Sequence, residues 1–213
     1  MRESRTPGSA RGGRGNPVPY RYDSTGLKLC GAGEWLVENH GASRRRSWRK
    51  LHIGVDAATG QVVAATLTTN DVDDGTQVGT LLDQVDGPIA SFTADGAYDQ
   101  DGVYGEIAER HPDAAVIVPP RSSAVPSKTA ETAPTQRDRH LQVIAERGRM
   151  GWQKASGYNL RALVEADIGR WKRVIGEALH SQTDGRQATD LAITVNVLNR
   201  MLELGRPNYI RII

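Results

Sequence analysis

The sequence predicts an α/β protein built on a mixed five-stranded sheet flanked by helices. Three observations lead there. Trp48 to Ala57 (WRKLHIGVDA) and Gln61 to Thr68 (QVVAATLT) are alternating, β-branched runs that flank an Asp56-Ala57-Ala58-Thr59-Gly60 turn, the pattern of a β-hairpin. After the hairpin, helical and strand-like runs alternate, which implies helices on the faces of a sheet. Beyond a Pro-containing loop, the last third of the chain carries only helical patterns.

Each element follows from its own residues. Residues 1–17 are rich in Gly, Arg, Ser and Pro, have almost nothing to bury and read as disordered. Val18, Tyr20 and Tyr22 alternate as in a strand, while Pro19 removes a ladder donor and argues for an edge position or a frayed start. Asp73 to Val85 has apolar residues at 78, 81, 82 and 85, a helical spacing. Ile89 to Thr93 is a short strand ending at Ala94-Asp95-Gly96, and Tyr98 to Arg110 is an amphipathic helix. Ala114 to Val118 is the fifth strand, closed by Pro119-Pro120. Arg121 to about Thr135 reads as loop, followed by a basic helix from about Arg137 to Arg147. Two more helices run from Tyr158 to about Leu179 and from about Gln187 to Leu204. The hairpin makes the first three strands antiparallel, and the helical crossovers make the later strands parallel to the first. The expected organisation is one domain over residues 18–205, with a loop and basic-helix insertion at about 120–157 and a tail at 206–213.

The 213 residues are 38% hydrophobic and 24% charged, enough for one ordinary globular core. Net charge is only +2, so charge as a whole does not demand a nucleic-acid partner. Its distribution says more. The first 21 residues hold five Arg and one Glu, and Arg44, Arg45, Arg46, Arg49 and Lys50 crowd into seven positions. Between Arg137 and Arg173 there are nine Lys/Arg against four Asp/Glu. Such clusters suit a surface that tracks phosphates, although each alone could be a solvated helix face. Cys30 is the only cysteine, which excludes an internal disulfide and a thiolate metal cluster, and points to a reducing cytosol. No apolar run approaches the ~18 residues of a membrane span, and the N-terminus lacks a signal-peptide core. A soluble, cytoplasmic protein without membrane contact is expected.

Asp23 and Asp95 each stand where an extended apolar run meets a Gly-containing turn. On parallel neighbouring strands, both carboxylates would lie at the carboxyl edge of the sheet, where open α/β sheets place their ligands. Either residue alone would more readily be turn chemistry. The helix from Tyr158 adds weight. At about 100° per residue, Tyr158, Arg161, Glu165 and Lys172 fall within a wedge of roughly 60°. Leu160, Leu163, Val164, Ile168, Trp171, Val174 and Ile175 fall on the opposite, core-facing side. One face thus presents a tyrosine, a carboxylate and two cations in a line; i,i+4 pairing on a solvated face is the plainer alternative.

These residues resemble the insertion-sequence transposases of the DDE class, whose helix signature Y-x(2)-R-x(3)-E-x(6)-K is matched by Tyr158, Arg161, Glu165 and Lys172. The match extends through Asp23-Ser24-Thr25-Gly26-Leu27-Lys28, Arg49-Lys50-Leu51-His52, Leu67-Thr68-Thr69-Asn70, Ala94-Asp95-Gly96-Ala97-Tyr98-Asp99 and Leu198-Asn199-Arg200-Met201. It covers about residues 20 to 205. The resemblance implies a ribonuclease-H-like (retroviral-integrase-like) core in which Asp23, Asp95 and Glu165 are catalytic and hold two Mg²⁺ ions, with Mn²⁺ as a substitute. It implies double-stranded DNA as partner, both terminal inverted repeats and target DNA, and a homodimer in the active complex. Tyr158, Arg161, Lys172, Arg49 and Lys50 are the implied DNA-binding residues. Family members carry a helical region before the first catalytic Asp. Here only 22 residues precede Asp23, so the sequence reads as truncated, split between reading frames or started at the wrong codon.

Other polar residues draw plainer readings. Asp56, Asp71, Asp73, Asp74, Asp83 and Asp86 read as turns and caps, and His52 as a packed mid-strand histidine. Trp35, Trp48 and Trp152 could stack on bases or fill core. Asp167 projects toward the apolar side of the Tyr158 helix, and Gly169 costs that helix about 1 kcal/mol against Ala. The expectation is intact catalytic groups on a weakened scaffold. Two alternatives stand beside an active transposase: a silent remnant that binds DNA, and a ribonuclease-H-like nuclease unrelated to transposition.

Overall fold

Alternation and turn chemistry along the chain translate into a sheet with helices on both faces. The computed structural model describes residues 16–29, 48–181 and 183–205. Expectations placed on residues 1–15, Cys30, Trp35, Arg44, Arg45, Arg46 and 206–213 lie outside the described residues. The strands are β1 (Val18–Leu29), β2 (Trp48–Asp56), β3 (Val62–Thr69), β4 (Ile89–Thr93), β5 (Ala115–Ile117) and β6 (Ala178–Leu179). The helices are α1 (Val78–Leu82), α2 (Asp101–Arg110), α3 (Gln136–Ser156), α4 (Ala162–Val174) and α5 (Asp184–Leu204). Strand order is β3-β2-β1-β4-β5, with β6 also pairing with β1. β1–β2 and β2–β3 are antiparallel, and β4 and β5 run parallel to their partners, as the hairpin and crossovers predict; β6 also pairs parallel with β1.

Two cores sandwich the sheet. Tyr20, Tyr22, Phe92 and Val116 pack with Val78, Leu81, Val103 and Ile107 of α1 and α2. Leu27, Leu51, Ile53 and Val55 pack with Val164, Trp171, Leu191 and Leu198 of α4 and α5. Successive β1 side chains alternate between these faces, so Tyr20 and Tyr22 enter one core and Leu27 the other. No helix of the described residues is long and apolar enough to cross a membrane.

The sheet differs from the five-stranded expectation by its sixth strand. The helix expected to reach Leu179 stops at Val174; Gly176 adopts φ +109°, a conformation that ends helices, and Ala178–Leu179 then pair with Lys28–Leu29. Pro19 does not mark an edge either. β1 is central, and the ladder to β4 accommodates Pro19 by a register shift between Val18 and Pro19. Nor does β1 end at Asp23: it continues to Leu29 because β2 pairs with it as far as Lys28.

Helices are mostly shorter than their apolar spacing suggests. Gly75–Gln77, Gly96–Tyr98 and Tyr158–Arg161 are 3-10 turns, preceding α1, α2 and α4. Tighter winding at Tyr158–Arg161 breaks the 100° projection. Leu160, Leu163 and Val174 are consequently exposed rather than core, and the inward stripe is Val164, Ile168, Trp171 and Ile175. The basic helix is instead longer than expected: a Thr135–Asp138 capping box starts α3 at Gln136, and Gly148 (φ 70°, ψ 170°) kinks it without ending it.

Candidate active site

β4 stops at Thr93, which pairs with Arg21 of β1. Asp23 therefore lies two residues past the end of its parallel neighbour, and Asp95 two residues past the end of β4. Both carboxylates occupy the same carboxyl edge, although Asp23 is inside a strand. Asp23 is buried, and its Oδ1 accepts a hydrogen bond from the Ser24 N–H at 2.8 Å. Asp95 caps the Gly96–Tyr98 turn, with Ala97 N–H donating to its Oδ1 at 2.9 Å. Glu165 stands exposed in the first turn of α4.

Arg161 joins all three. Its Nη2 is 3.0 Å from Asp23 Oδ2 and 3.6 Å from Asp95 Oδ2, and its Nη1 is 2.8 Å from Glu165 Oε1. Burial raises the pKa of Asp23 despite the opposing pull of Arg161 and the Ser24 N–H; Asp95 and Glu165 push it the same way as burial. Burial works against the Arg161 charge, but Asp23, Tyr158, Asp95 and Glu165 together raise its pKa. The guanidinium is thus the local counter-charge for a carboxylate triad.

The other expected site residues divide. Tyr158 is half-buried beside Arg161, its ring 5.3 Å from that of Trp152, a core residue of α3. Lys172, half-buried seven residues after Glu165, makes no ion pair among the described residues. Lys50 is held by Asp74 (Nζ–Oδ1 3.2 Å) and donates to Val72 O at 2.9 Å. Arg49 points to α5, where it pairs with Asp184 and donates to Gln187 Oε1 at 3.0 Å. Trp48 is partly exposed with Lys28 Nζ 5.9 Å from its ring.

Three groups near the site escape sequence reasoning. Asp99, buried in the turn after Asp95, takes two hydrogen bonds from Arg137 (2.7 and 3.1 Å) and one from Arg121 N–H (2.9 Å). The Arg121 guanidinium donates to Gly96 O and Ala97 O, so the turn bearing Asp95 is clamped from both ends. Asp74 is no simple cap: it lies beside Lys50 and the buried His52. Its place in the acidic run Asp71-Val72-Asp73-Asp74 hides this from the sequence. Asp167 is half-buried and burial raises its pKa, as its place on the inward side of α4 predicts, but two cations oppose that trend. Its Oδ1 is 3.7 Å from Arg170 Nη2, and it attracts the buried Arg21 of β1.

The donor set fits a hard divalent cation in chemistry, being three carboxylates without nitrogen or sulfur. Mg²⁺ requires oxygens at about 2.0–2.1 Å. Asp23 and Asp95 instead converge on one Arg161 nitrogen at 3.0 and 3.6 Å. Among the described residues no three His, Cys, Asp or Glu side chains are grouped closely enough to hold an ion. Withdrawal of Arg161 and a short approach of the carboxylates would be needed.

Two comparisons bear on this geometry. The family model described as Transposase DDE domain matches residues 20–201, a span that contains Asp23, Asp95, Arg161 and Glu165. The fold is similar to that in the cryo-EM structure of the piggyBac transposase synaptic complex with hairpin DNA, at TM-score 0.51 and 12% identity. That likeness covers 88% of this chain and 47% of the other, so this chain spans about half the length of its neighbour.

Proposed function

The chain belongs to the transposase DDE-domain family, and on that premise we propose that it is a DNA transposase core of ribonuclease-H-like type that cuts element ends and joins them to target DNA. The observation that carries the reading is the convergence of Asp23, Asp95 and Glu165 on the single Arg161 guanidinium. Three carboxylates from β1, the β4 turn and α4 gather here, each from a different part of the chain.

A pair of divalent ions, Mg²⁺ or Mn²⁺, would supply Lewis-acid activation of the attacking oxygen and charge stabilisation of the leaving one. Asp23, Asp95 and Glu165 would hold them, Asp23 from the central strand and Glu165 from the first turn of α4. Arg161, released from the carboxylates, has a DNA phosphate as its natural alternative anion. Lys172 of α4 would add a second cation, and Tyr158, whose ring packs against Trp152, would contact the DNA backbone or a base. Water attacks the donor phosphodiester and the 3′ oxygen leaves, taking up a proton; the 3′-hydroxyl so freed then attacks a target phosphodiester, loses its proton and expels the target strand's own 3′ oxygen. Such in-line displacement needs positioning and charge neutralisation more than covalent help from side chains. Joining two element ends is the basis for expecting a homodimer in the active complex.

The test is Mg²⁺-dependent cleavage of duplex DNA carrying the flanking element's terminal repeats, with Glu165→Gln as control. Cleavage by the wild type and none by Glu165→Gln is expected. Equal cleavage by both would sink the carboxylate assignment. No cleavage by either, with DNA still bound, would favour the silent remnant.

A further inference from the structure

α5 has two opposite faces. One is anchored to the sheet: Leu191 and Leu198 are buried in the core there. Near the first turn Arg49 donates to Gln187, and near the last Asn199 exchanges two hydrogen bonds of 2.8 Å with the Val62 backbone. Those anchors fix the rotation of the helix. The face they turn outward is apolar. Ile193, Val197, Met201 and Leu204 are exposed, from 42% at Val197 to 70% at Leu204. At about 100° per residue they fall within a stripe of roughly 80°. Single exposed apolar side chains are ordinary, but four along one helix face mark a surface that something covers.

The charges along the stripe say what covers it. Arg186 and Asp190 project within it and Arg200 at its border. Arg186 and Asp190 make no ion pair among the described residues, and Arg200 meets only its neighbour Glu203, at 2.7 Å. Consider two such helices laid antiparallel about a two-fold axis midway between Ile193 and Val197. Each Ile193 then faces the second copy's Val197, and each Asp190 faces the second copy's Arg200. Arg186 meets the second copy's Leu204 and the Glu203 beside it. Every charged pairing across the axis is between opposite signs. Parallel helices would instead set Asp190 against Asp190 and Arg200 against Arg200, which is repulsive. The stripe is therefore complementary to itself in the antiparallel sense, the isologous geometry of a two-fold dimer.

We propose that the outward stripe of α5 is a homodimer surface, closed by the same stripe of a second copy with Ile193 and Val197 at its centre and Asp190–Arg200 pairs on either side. From Arg186 to Leu204 the stripe is about 27 Å long and one helix wide, about 10 Å. That is smaller than the roughly 800 Å² per partner of a standard interface, so the dimer of the free chain is weak. The inference gives a surface to the homodimer that end joining requires, and it rests on that reading for its purpose alone. Self-association needs neither DNA nor metal, so the two readings fail separately.

The experiment is sedimentation velocity on the full chain without DNA, from roughly 1 µM to several hundred µM as a small interface requires, with thermal melts of every variant. The wild type is expected to pass from monomer to dimer across that range. Val197→Glu, which would bury an unpaired charge at the centre, is expected to leave a monomer with an unchanged melting midpoint. Asp190→Arg and Arg200→Asp are each expected to weaken the dimer about 10-fold or more by opposing like charges. Both together in one chain are expected to restore it, because every copy then carries both halves of the reversed pair. If Val197→Glu does not fold, the charge exchange carries the test. A wild type that stays monomeric would overturn the inference, as would a dimer indifferent to Val197→Glu, or a double exchange that fails to restore association. A wild type that dimerises through α5 but cuts no DNA would overturn the catalytic reading alone.

Discussion

Arg161 Nη2 lies 3.0 Å from Asp23 Oδ2, and the same guanidinium reaches Asp95 and Glu165. A cation intrinsic to the chain therefore occupies the centre of the carboxylate set. Competition follows from electrostatics alone: whatever divalent ion enters must displace a charge already paired there.

Arg161→Ala should accordingly destabilise the metal-free protein, since three carboxylates lose their counter-charge. Removing one partner of a fully buried pair costs about 3–5 kcal/mol, and the partial solvent access here reduces that to about 1–3 kcal/mol. Added Mg²⁺ should restore more stability to the variant than it gives the wild type. Urea denaturation with and without Mg²⁺ reads both effects; equal Mg²⁺ responses would count against the competition.

Asp99 carries a distinct pH signature. Burial opposes its charge, but Arg137 and the Arg121 N–H outweigh burial and depress its pKa. A depressed carboxylate pKa gives stability that is present above the unfolded value and lost as pH falls through the folded one. Asp99→Asn should thus cost about 2–4 kcal/mol at neutral pH, given the slight exposure of Arg137, and the gap should close as pH falls through the acid range. Denaturation at a series of pH values checks this. A gap independent of pH would show that the carboxylate charge is not what matters. Loosening of the Asp95 turn should lower cleavage in the same variant.

Asp167 distinguishes the two views of α4. The sequence suggests a misplaced charge, for which an apolar replacement would be a gain. Because Arg170 and the buried Arg21 lie near Asp167, Asp167→Leu should instead destabilise, by no more than about 1 kcal/mol, since burial already opposes the Asp167 charge and Arg21 keeps Asp56 as an opposite charge. Adding Arg21→Met should recover part of the loss. A simple gain in the melting temperature of Asp167→Leu would restore the first view.

How much of this could be read from sequence depends on whether a relationship is local. Arg161 and Glu165 are four residues apart, so their pairing needs only one turn of helix and survives the 3-10 start of the segment. The hairpin, the strand at Ile89–Thr93 and the crossover directions were similarly legible, being set by period and turn residues. What was hidden is long-range. Asp74 resembles its acidic neighbours until β2 brings Lys50 and His52 against it. Leu198-Asn199-Arg200-Met201 gave no hint that Asn199 would exchange two hydrogen bonds of 2.8 Å with the backbone of Val62, docking α5 on edge strand β3. Ala178–Leu179 carry no period of their own, being two residues, so only the Gly176 stop before them separates this strand from the helix in the sequence.

If Asp23 ligates the metal directly, a change of ligand softness at that position alters which ion supports cleavage. Asp23→Cys puts a thiolate where an oxygen donor stood, a change that disfavours Mg²⁺ more than the softer Mn²⁺. DNA cleavage should vanish with Mg²⁺ and return in part with Mn²⁺, while the wild type works with both. Undiminished Mg²⁺-supported cleavage by Asp23→Cys would contradict the assignment.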